Sequence, residues 1–336
     1  MKKNNIIYVF IFIIILLSIS ILINGDVNIN LKEFSEVLSG NGIDLHSQII
    51  FDLRLPKLLT ALISGSSLAI CGLLLQTYFQ NPLAGPFVLG IHSGSALFVS
   101  LWIIIGQSIG IESALIDVGM STIIASWIGS LLVMFILFFI SKKIAGKVIL
   151  LVIGLLIGYF SGSIINILVA SGDPDSIKSF LAWSMGSFER TSMGDVGVML
   201  LLLIFSFITS FLLAKPLNLI FIGETFAKTM GVNPNKIKTY ILGITSLLAA
   251  LITSYCGPVA FVGMISPHIA RLLLKTEDHK VLIPYSAVIG ALLAVLALNI
   301  SNLFTGFSLP LNSTLGLLGA PFIVFFILRK KIGSYV

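Results

Sequence analysis

Ten runs of apolar residues, most of them long enough to cross a bilayer, set the frame into which this chain must fold. They lie at about 6–24, 57–78, 87–106, 113–140, 148–170, 196–214, 239–256, 259–274, 282–303 and 313–328. A spanning helix needs about 20 apolar residues, and lipid offers no partner to an unpaired N–H or C=O, so such a pattern folds as a helical bundle. The residue balance agrees, with 57% hydrophobic and only 10% charged, where a soluble domain carries roughly 25% charged. The expected fold class is therefore all-α, a polytopic membrane protein of ten transmembrane helices in one domain over 1–336.

The basic residues test that count, because short cytoplasmic loops hold most of the Lys and Arg. With the chain started inside, 15 of its 20 basic residues fall in inner joints and termini, Lys2 among them, leaving Lys32, Arg54, Lys57, Lys178 and Arg190 outside. Of the acidic residues only Glu224, Glu277 and Asp278 fall inside. Both termini are thus expected in the cytoplasm. The net charge of +6 comes from these loops and implies no nucleic-acid partner. Residues 1–24 could pass for a signal peptide, but no small-x-small site closes the apolar run, so it reads as a retained first span. Cys71 and Cys256 both fall inside spans and imply neither a disulfide nor a metal pair.

Two segments interrupt the apolar pattern with helix breakers: Asn81-Pro82-Leu83-Ala84-Gly85-Pro86, and Gly257-Pro258-Val259-Ala260-Phe261-Val262-Gly263 running on to Ser266-Pro267-His268-Ile269-Ala270-Arg271. Hydropathy places both at a membrane face, where non-helical backbone must be shielded by protein or line a wet cavity. Asn81, Pro82, Leu83, Gly257 and Pro258 are accordingly candidates for a translocation path. The first cassette follows span two on the inside and the second follows span seven on the outside. This suggests an inverted repeat of spans two to five (about 57–170) and seven to ten (about 239–330), a transporter signature.

Three further segments stand out. The polar stretch from Gly25 to Pro56, with Asp26 and Asp52, lies outside and suits an amphipathic piece near Leu31 to Leu38. Ser171 to Asp195 suits a short interfacial helix after the Gly172-Asp173-Pro174-Asp175 turn. The largest inner connection, 215–238, holds Gly223 to Gly231, a short helix with a glycine stop before Asn233-Pro234. There Phe226 and Met230 are four apart with Lys228 on another side, so one face can pack on the membrane domain and another meet a partner. An ordinary interfacial helix is the alternative. In the fifth span Gly154, Gly158 and Gly162 form a small-xxx-small face, open either to a second copy or the path, or to packing within one subunit.

What is missing narrows the function. No span centre carries Asp, Glu, Lys or Arg, as an ion-coupled transporter would. There is no G-x-x-x-x-G-K-[ST] phosphate loop and no catalytic constellation. His46, His92, His268 and His279 stand apart without metal-ligand spacing. A chain of this kind is not an enzyme, and energy for uphill transport must enter from another chain.

The residues then resemble a known family. Arg54-Leu55-Pro56-Lys57, Gly72 to Gln76, Asn81-Pro82-Leu83-Ala84-x-Pro86 with Leu89-Gly90, Gly186-Ser187-Phe188, Gly223-Glu224 with Ala227 and Gly231, Gly257-Pro258-x-x-Phe261-Val262-Gly263 with Pro267-His268-x-x-Arg271, and Gly319-Ala320-Pro321-Phe322 are similar, in order, to FecCD-type permeases. These are the membrane subunits of importers for iron-siderophores, haem and vitamin B12. The resemblance implies a homodimer in the bacterial cytoplasmic membrane with the path between the copies. It also implies two ATPase subunits that hold ATP and Mg below and a solute-binding protein above, with no cofactor or metal on this chain. It implies that Asn81 and Leu83 gate the cytoplasmic mouth, that Gly223, Glu224, Ala227 and Gly231 belong to the ATPase-coupling helix, and that Arg54 and Lys57 dock the binding protein. An iron(III)-siderophore is the expected cargo, with haem and cobalamin as alternatives. The sequence departs from the family at Asn299-Ile300-Ser301-Asn302 and Ser308-Leu309-Pro310-Leu311-Asn312, where many members carry Asp, Arg and Glu.

Overall fold

The computed structural model describes residues 3–25, 27, 29–40, 42–106, 118–143, 146–303 and 309–333. Lys2, Asp26, Ser308 and the beginning of the apolar run expected at 113–140 lie outside the described residues. In chain order the helices are α1 (Lys3–Ile23), α2 (Leu31–Leu38), α3 (Asp44–Gln48), α4 (Leu55–Phe79), α5 (Ile91–Ser100), α6 (Val118–Lys143), α7 (Lys147–Ser171) and α8 (Pro174–Ser184). They continue as α9 (Met193–Leu212), α10 (Ala214–Ile222), α11 (Glu224–Thr229), α12 (Pro234–Cys256), α13 (Val262–Leu274), α14 (His279–Ser301) and α15 (Leu311–Gly333). A π-helical stretch, Ile49–Arg54, joins α3 to α4, and a second, Leu101–Gly106, extends α5.

The ten expected apolar runs map onto α1, α4, α5, α6, α7, α9, α12, α13, α14 and α15. Seven of these elements are long and apolar enough to cross a membrane, and the other three, Ile91–Gly106, Val262–Leu274 and Leu311–Phe326, are shorter. The connecting helices begin where the sequence supplies caps. Asn30 and Glu33 form a reciprocal capping box on α2, and Ser192 and Asp195 do the same on α9. Asp173 and Asn233 each cap a helix that opens on proline. Each cap satisfies N–H groups that a first turn cannot pair internally.

The registers of α4 fix the architecture. Against α12 it pairs Ser64 with Cys256 and Cys71 with the Thr245 carbonyl, so the two run antiparallel. Against α14 it places Gly65 on Gly290 and Thr77 on His279, again antiparallel. Against α13 it places Gly72 on Gly263 and Gln76 on Arg271, so these two run parallel. Asn81 and Gly257 therefore sit at opposite ends of the α4/α12 pair.

Packing partners repeat under exchange of α4–α7 with α12–α15. Helix α4 packs on α13 and α14 as α12 packs on α5 and α6, and the pairs α5/α6, α5/α7 and α6/α7 match α13/α14, α13/α15 and α14/α15. Small residues let the central helices touch. A Cβ on Gly72 would lie 1.6 Å from the Gly263 carbonyl oxygen, and one on Gly65 2.2 Å from that of Gly290. Such backbone contact replaces the hydrophobic drive that lipid does not supply. Between α5 and α6 a buried serine knot does similar work, with Ser95 Oγ 2.8 Å from Ser126 Oγ and 2.6 Å from Ser130 Oγ.

The broken cassettes do not stay at the faces, as hydropathy suggested; both dip inward. Pro86 packs beside Gly263, which itself lies on Leu68 and Gly72 of α4. Gly72 is seven residues from Phe79, about 10 Å at 1.5 Å per residue. So α13 begins at depth and runs out to the Asn81 end. Leu89 and Gly90 likewise meet Gly154, seven residues into α7, before α5 starts.

Candidate translocation and coupling site

At the Asn81 end a cavity of about 880 Å³ is lined by Gln76, Asn81, Pro82, His268, Arg271 and Phe326, among others. The chain enters it through a left-handed turn at Gln80, with φ of 50°. Asn81 then folds the next turn on itself: its Oδ1 accepts the Leu83 N–H at 2.9 Å and its carbonyl accepts the Ala84 N–H at 3.1 Å. This is the Asx arrangement that makes Asn a turn former. His268 Nε2 lies 2.7 Å from the Pro82 carbonyl oxygen, while its ring stands 4.2 Å from that of Phe326 on α15. The candidate gate segment is thus pinned to α13 and, through His268, to α15, and Leu83 is left 40% exposed. Arg271 Nη1 donates to Gln76 Oε1 at 2.6 Å and its Nε to Glu277 at 3.0 Å. The sequence reading of His268 as a polar helix end beside Arg271 missed this role, because the contact with Pro82 spans 186 positions.

Gly257 and Pro258 lie at the other end and are not among the residues lining the cavity at Asn81. Gly257 takes φ +72°, a conformation that favours glycine, and a Cβ there would lie 2.6 Å from the Trp183 carbonyl oxygen. Ser187 N–H donates to the Cys256 carbonyl at 2.8 Å. Asn312 braces the cassette from α15, since its Oδ1 accepts the Ala260 N–H at 3.1 Å and its own N–H donates to Met185 at 3.2 Å. The departure noted around Asn312 therefore places a bracing amide there.

The coupling candidates gather at the Asn81 end. Gly223 turns the chain from α10 into α11, and Gly231, with φ +81°, closes α11 by donating to Lys228, while Val232 N–H returns to Ala227. Of the two faces the sequence offered, the one carrying Ala227 is buried, and Phe226 and Met230 are 44% and 60% exposed. A helix this short reaches the body only through its small residue, which turns the large apolar side chains outward.

Arg54 and Lys57 are not the open rim charges expected of docking residues. Arg54 is 9% exposed, and its Nη1 donates to the carbonyls of Leu22 and Ile23 at 2.8 and 2.9 Å. Its Nη2 donates to Val27. The guanidinium thus caps the C-terminus of α1, where orphan carbonyls and the helix dipole favour a cation. Lys57 pairs with Glu189 and reaches Asn302 Oδ1 at 3.3 Å. Burial also lowers the affinity of Arg190 for its proton. Arg54→Ala is expected to lower stability by about 1–3 kcal/mol, the cost of leaving buried carbonyls unpaired. Thermal unfolding in detergent and protease sensitivity near Gly25 check this, and an unchanged midpoint would rule out the capping role.

Of the small-residue face on α7, Gly154 packs on the backbone of Val88 and Leu89, and Gly158 faces Ser93 Oγ. A Cβ on Gly162 would meet nothing within 4 Å. The first two glycines therefore serve packing within the chain, while Leu156, Tyr159 and Phe160 of α7 stay exposed.

The family model of the FecCD transport family matches residues 10–329. The hemin transport system permease protein HmuU of Yersinia pestis is 32% identical, over 84% of this chain and 84% of its own length. The molybdate import system permease protein MolB of Haemophilus influenzae is 30% identical, over 86% of this chain and 84% of its own. Other matching relatives are named for cobalamin and iron(3+)-hydroxamate import. A solved structure described as an inward-facing conformation of a metal-chelate type ABC transporter superposes with a TM-score of 0.83 at 25% identity, covering 98% of this chain and 99% of that one. A match from one end of the helical bundle to the other, joined to a fold shared over nearly every residue, makes this chain a member of the FecCD family, a noncatalytic membrane permease subunit of an ABC importer.

Proposed function

We propose that this permease carries an iron(III)-siderophore complex across the bacterial cytoplasmic membrane as one of two identical copies. A solute-binding protein delivers the chelate at the Gly257 end, and an ATPase subunit holding ATP and Mg docks on α11 at the Asn81 end. Asn81, Pro82 and Leu83 form the inner gate, Gly257 and Pro258 belong to the outer part of the path, and both termini face the cytoplasm. The carrying observation is that the outward apolar face of α11 and the mouth lined by Asn81 and Pro82 lie at the same end of the molecule. A partner that moves α11 therefore acts next to the gate.

Ion-coupled secondary transport has less support. Among the described residues Arg54 is the sole buried Asp, Glu, Lys or Arg, and its hydrogen bonds cap α1 rather than face a path. The relatives' names spread over haem, cobalamin, hydroxamate and molybdate, so cargo is decided by assay. Vesicles holding the permease, its ATPase and its binding protein should take up a ⁵⁵Fe-labelled hydroxamate or catecholate chelate when ATP is supplied. Uptake of haem or cobalamin at equal concentration should be at least about tenfold slower, a discrimination worth 1.4 kcal/mol. Preference for haem or cobalamin would replace the cargo and keep the importer.

A further inference from the structure

Beside the gate lies a polar knot that joins α10, α14 and α4. Asn218 projects from the middle of α10, which leads through Gly223 alone into α11. Its Oδ1 receives the backbone N–H of His279 at 2.9 Å and the ring Nδ1 of His279 at 2.6 Å, while its Nδ2 donates to Asp278 Oδ1 at 2.8 Å. A backbone N–H can only donate and a carboxylate can only accept, so the amide has one orientation and Nδ1 of His279 carries a proton. His279 Nε2 then meets Thr77 Oγ1 at 2.6 Å, and both residues are fully buried. Asp278 also accepts the Lys280 N–H at 3.1 Å and so caps α14. The hydrogen bond from Asn218 holds its carboxyl below the ordinary pKa.

The knot ends on one turn of α4. Thr77 is the neighbour of Gln76, which lines the gate cavity and binds both Arg271 and the Met264 carbonyl, the latter at 2.9 Å. Phe221, one turn along α10 from Asn218, lines the same cavity and stands 6.4 Å from the His279 ring. Moving α10 must either carry α14 and, through Thr77, the end of α4 with it, or break the hydrogen bonds of Asn218 and leave the Nδ1–H of the buried His279 without its acceptor. The second course is unfavourable in a low-dielectric interior.

We propose that Asn218, through His279 and Thr77, is the positioning residue that transmits displacement of α11, by way of the α4 turn at Gln76, to the gate formed by Asn81, Pro82 and Leu83. This rests on the reading that α11 engages an ATPase subunit. The knot behaves as a rigid latch, so the gate turn of α4 and the α13–α14 corner move as one body with α10.

The test needs no cargo. Leu83→Cys provides a reporter at the gate, and Cys71 and Cys256 are fully buried, so a charged thiol reagent labels the new site selectively. In nanodiscs with the ATPase bound, vanadate trapping with ATP should change the labelling rate by at least about fivefold, the lower end of a typical coupling. Asn218→Ala and Thr77→Val should still capture the ATPase but label at the nucleotide-free rate, and Thr77→Ser should respond as the parent does. Should Asn218→Ala fail to insert, Thr77→Val carries the test, because it removes a hydroxyl at nearly constant volume. Full response in both variants overturns the latch while leaving docking on α11 intact. A parent that captures no ATPase overturns the functional reading, and the latch with it.

Discussion

Phe226→Asp with Met230→Asp is expected to abolish capture of the ATPase subunit while the permease itself folds and inserts normally. Both side chains are exposed at the outward face of α11, with Ala227 behind them against the body. Large apolar anchors on a small rigid element are where interface energy concentrates, with about 2 kcal/mol or more lost for each one truncated. Two together give about 4 kcal/mol, a fall in affinity of roughly a thousandfold, and introduced carboxylates add a desolvation cost. Pull-down of the ATPase with each single and double variant measures this. Retention within threefold of the parent would show that the partner grips another surface. Ala227→Trp should act differently, since a buried Cβ position has no room and the whole helix must lift. That variant is expected to keep some binding but uncouple hydrolysis from uptake, as is Glu224→Arg.

Gly72→Ala, a change of one methyl group, is expected to be the most destabilising conservative substitution in the chain. The added carbon would stand 1.6 Å from the Gly263 carbonyl oxygen, and neither backbone can move without parting α4 from α13. Overpacking a tight core costs typically 1–3 kcal/mol, occasionally more, and a contact this close falls at or beyond the top of that range. Gly243→Ala is the control, because it sits inside α12 with nothing within 4 Å of the new carbon. Removing a helical glycine there should raise stability by about 0.5–1 kcal/mol. Thermal midpoints measured side by side in detergent should therefore move in opposite directions. Equal shifts would mean that the α4/α13 contact is looser than its geometry.

Much of this architecture was legible before any coordinates. Apolar runs marked all ten apolar helices, seven of them long enough to cross a membrane, and α2, α8 and α11 were expected near where they lie, α2 from its amphipathic pattern and the other two from turn and glycine signals. Depth was less legible. Hydropathy measures how apolar a run is, so it placed 87–106 as one span, although α5 begins only at Ile91 and the preceding loop already lies against Gly154. Side-chain direction was also hidden. The sequence pairs Phe226 with Met230 on one face but does not say whether that face looks inward, and Arg54 looked like a surface charge because its acceptors are carbonyls some 30 positions earlier. The gate candidates Asn81 and Pro82 stood out through their helix-breaking chemistry. The latch was not, since Thr77, Asn218 and His279 belong to three separated helices and share no spacing.

The shortness of α13 bears on how the protein is made. Thirteen residues extend about 20 Å as a helix, too little to enter a bilayer of roughly 30 Å as an independent stop. Its place exists only because α4 already presents the Gly72 groove. That groove is synthesised about 190 residues before Gly263 reaches it, a delay of roughly 10–40 s at ordinary elongation rates. Through that interval the nascent chain holds an unfilled seam in the membrane, a natural point for an insertase or chaperone to act and for quality control to begin.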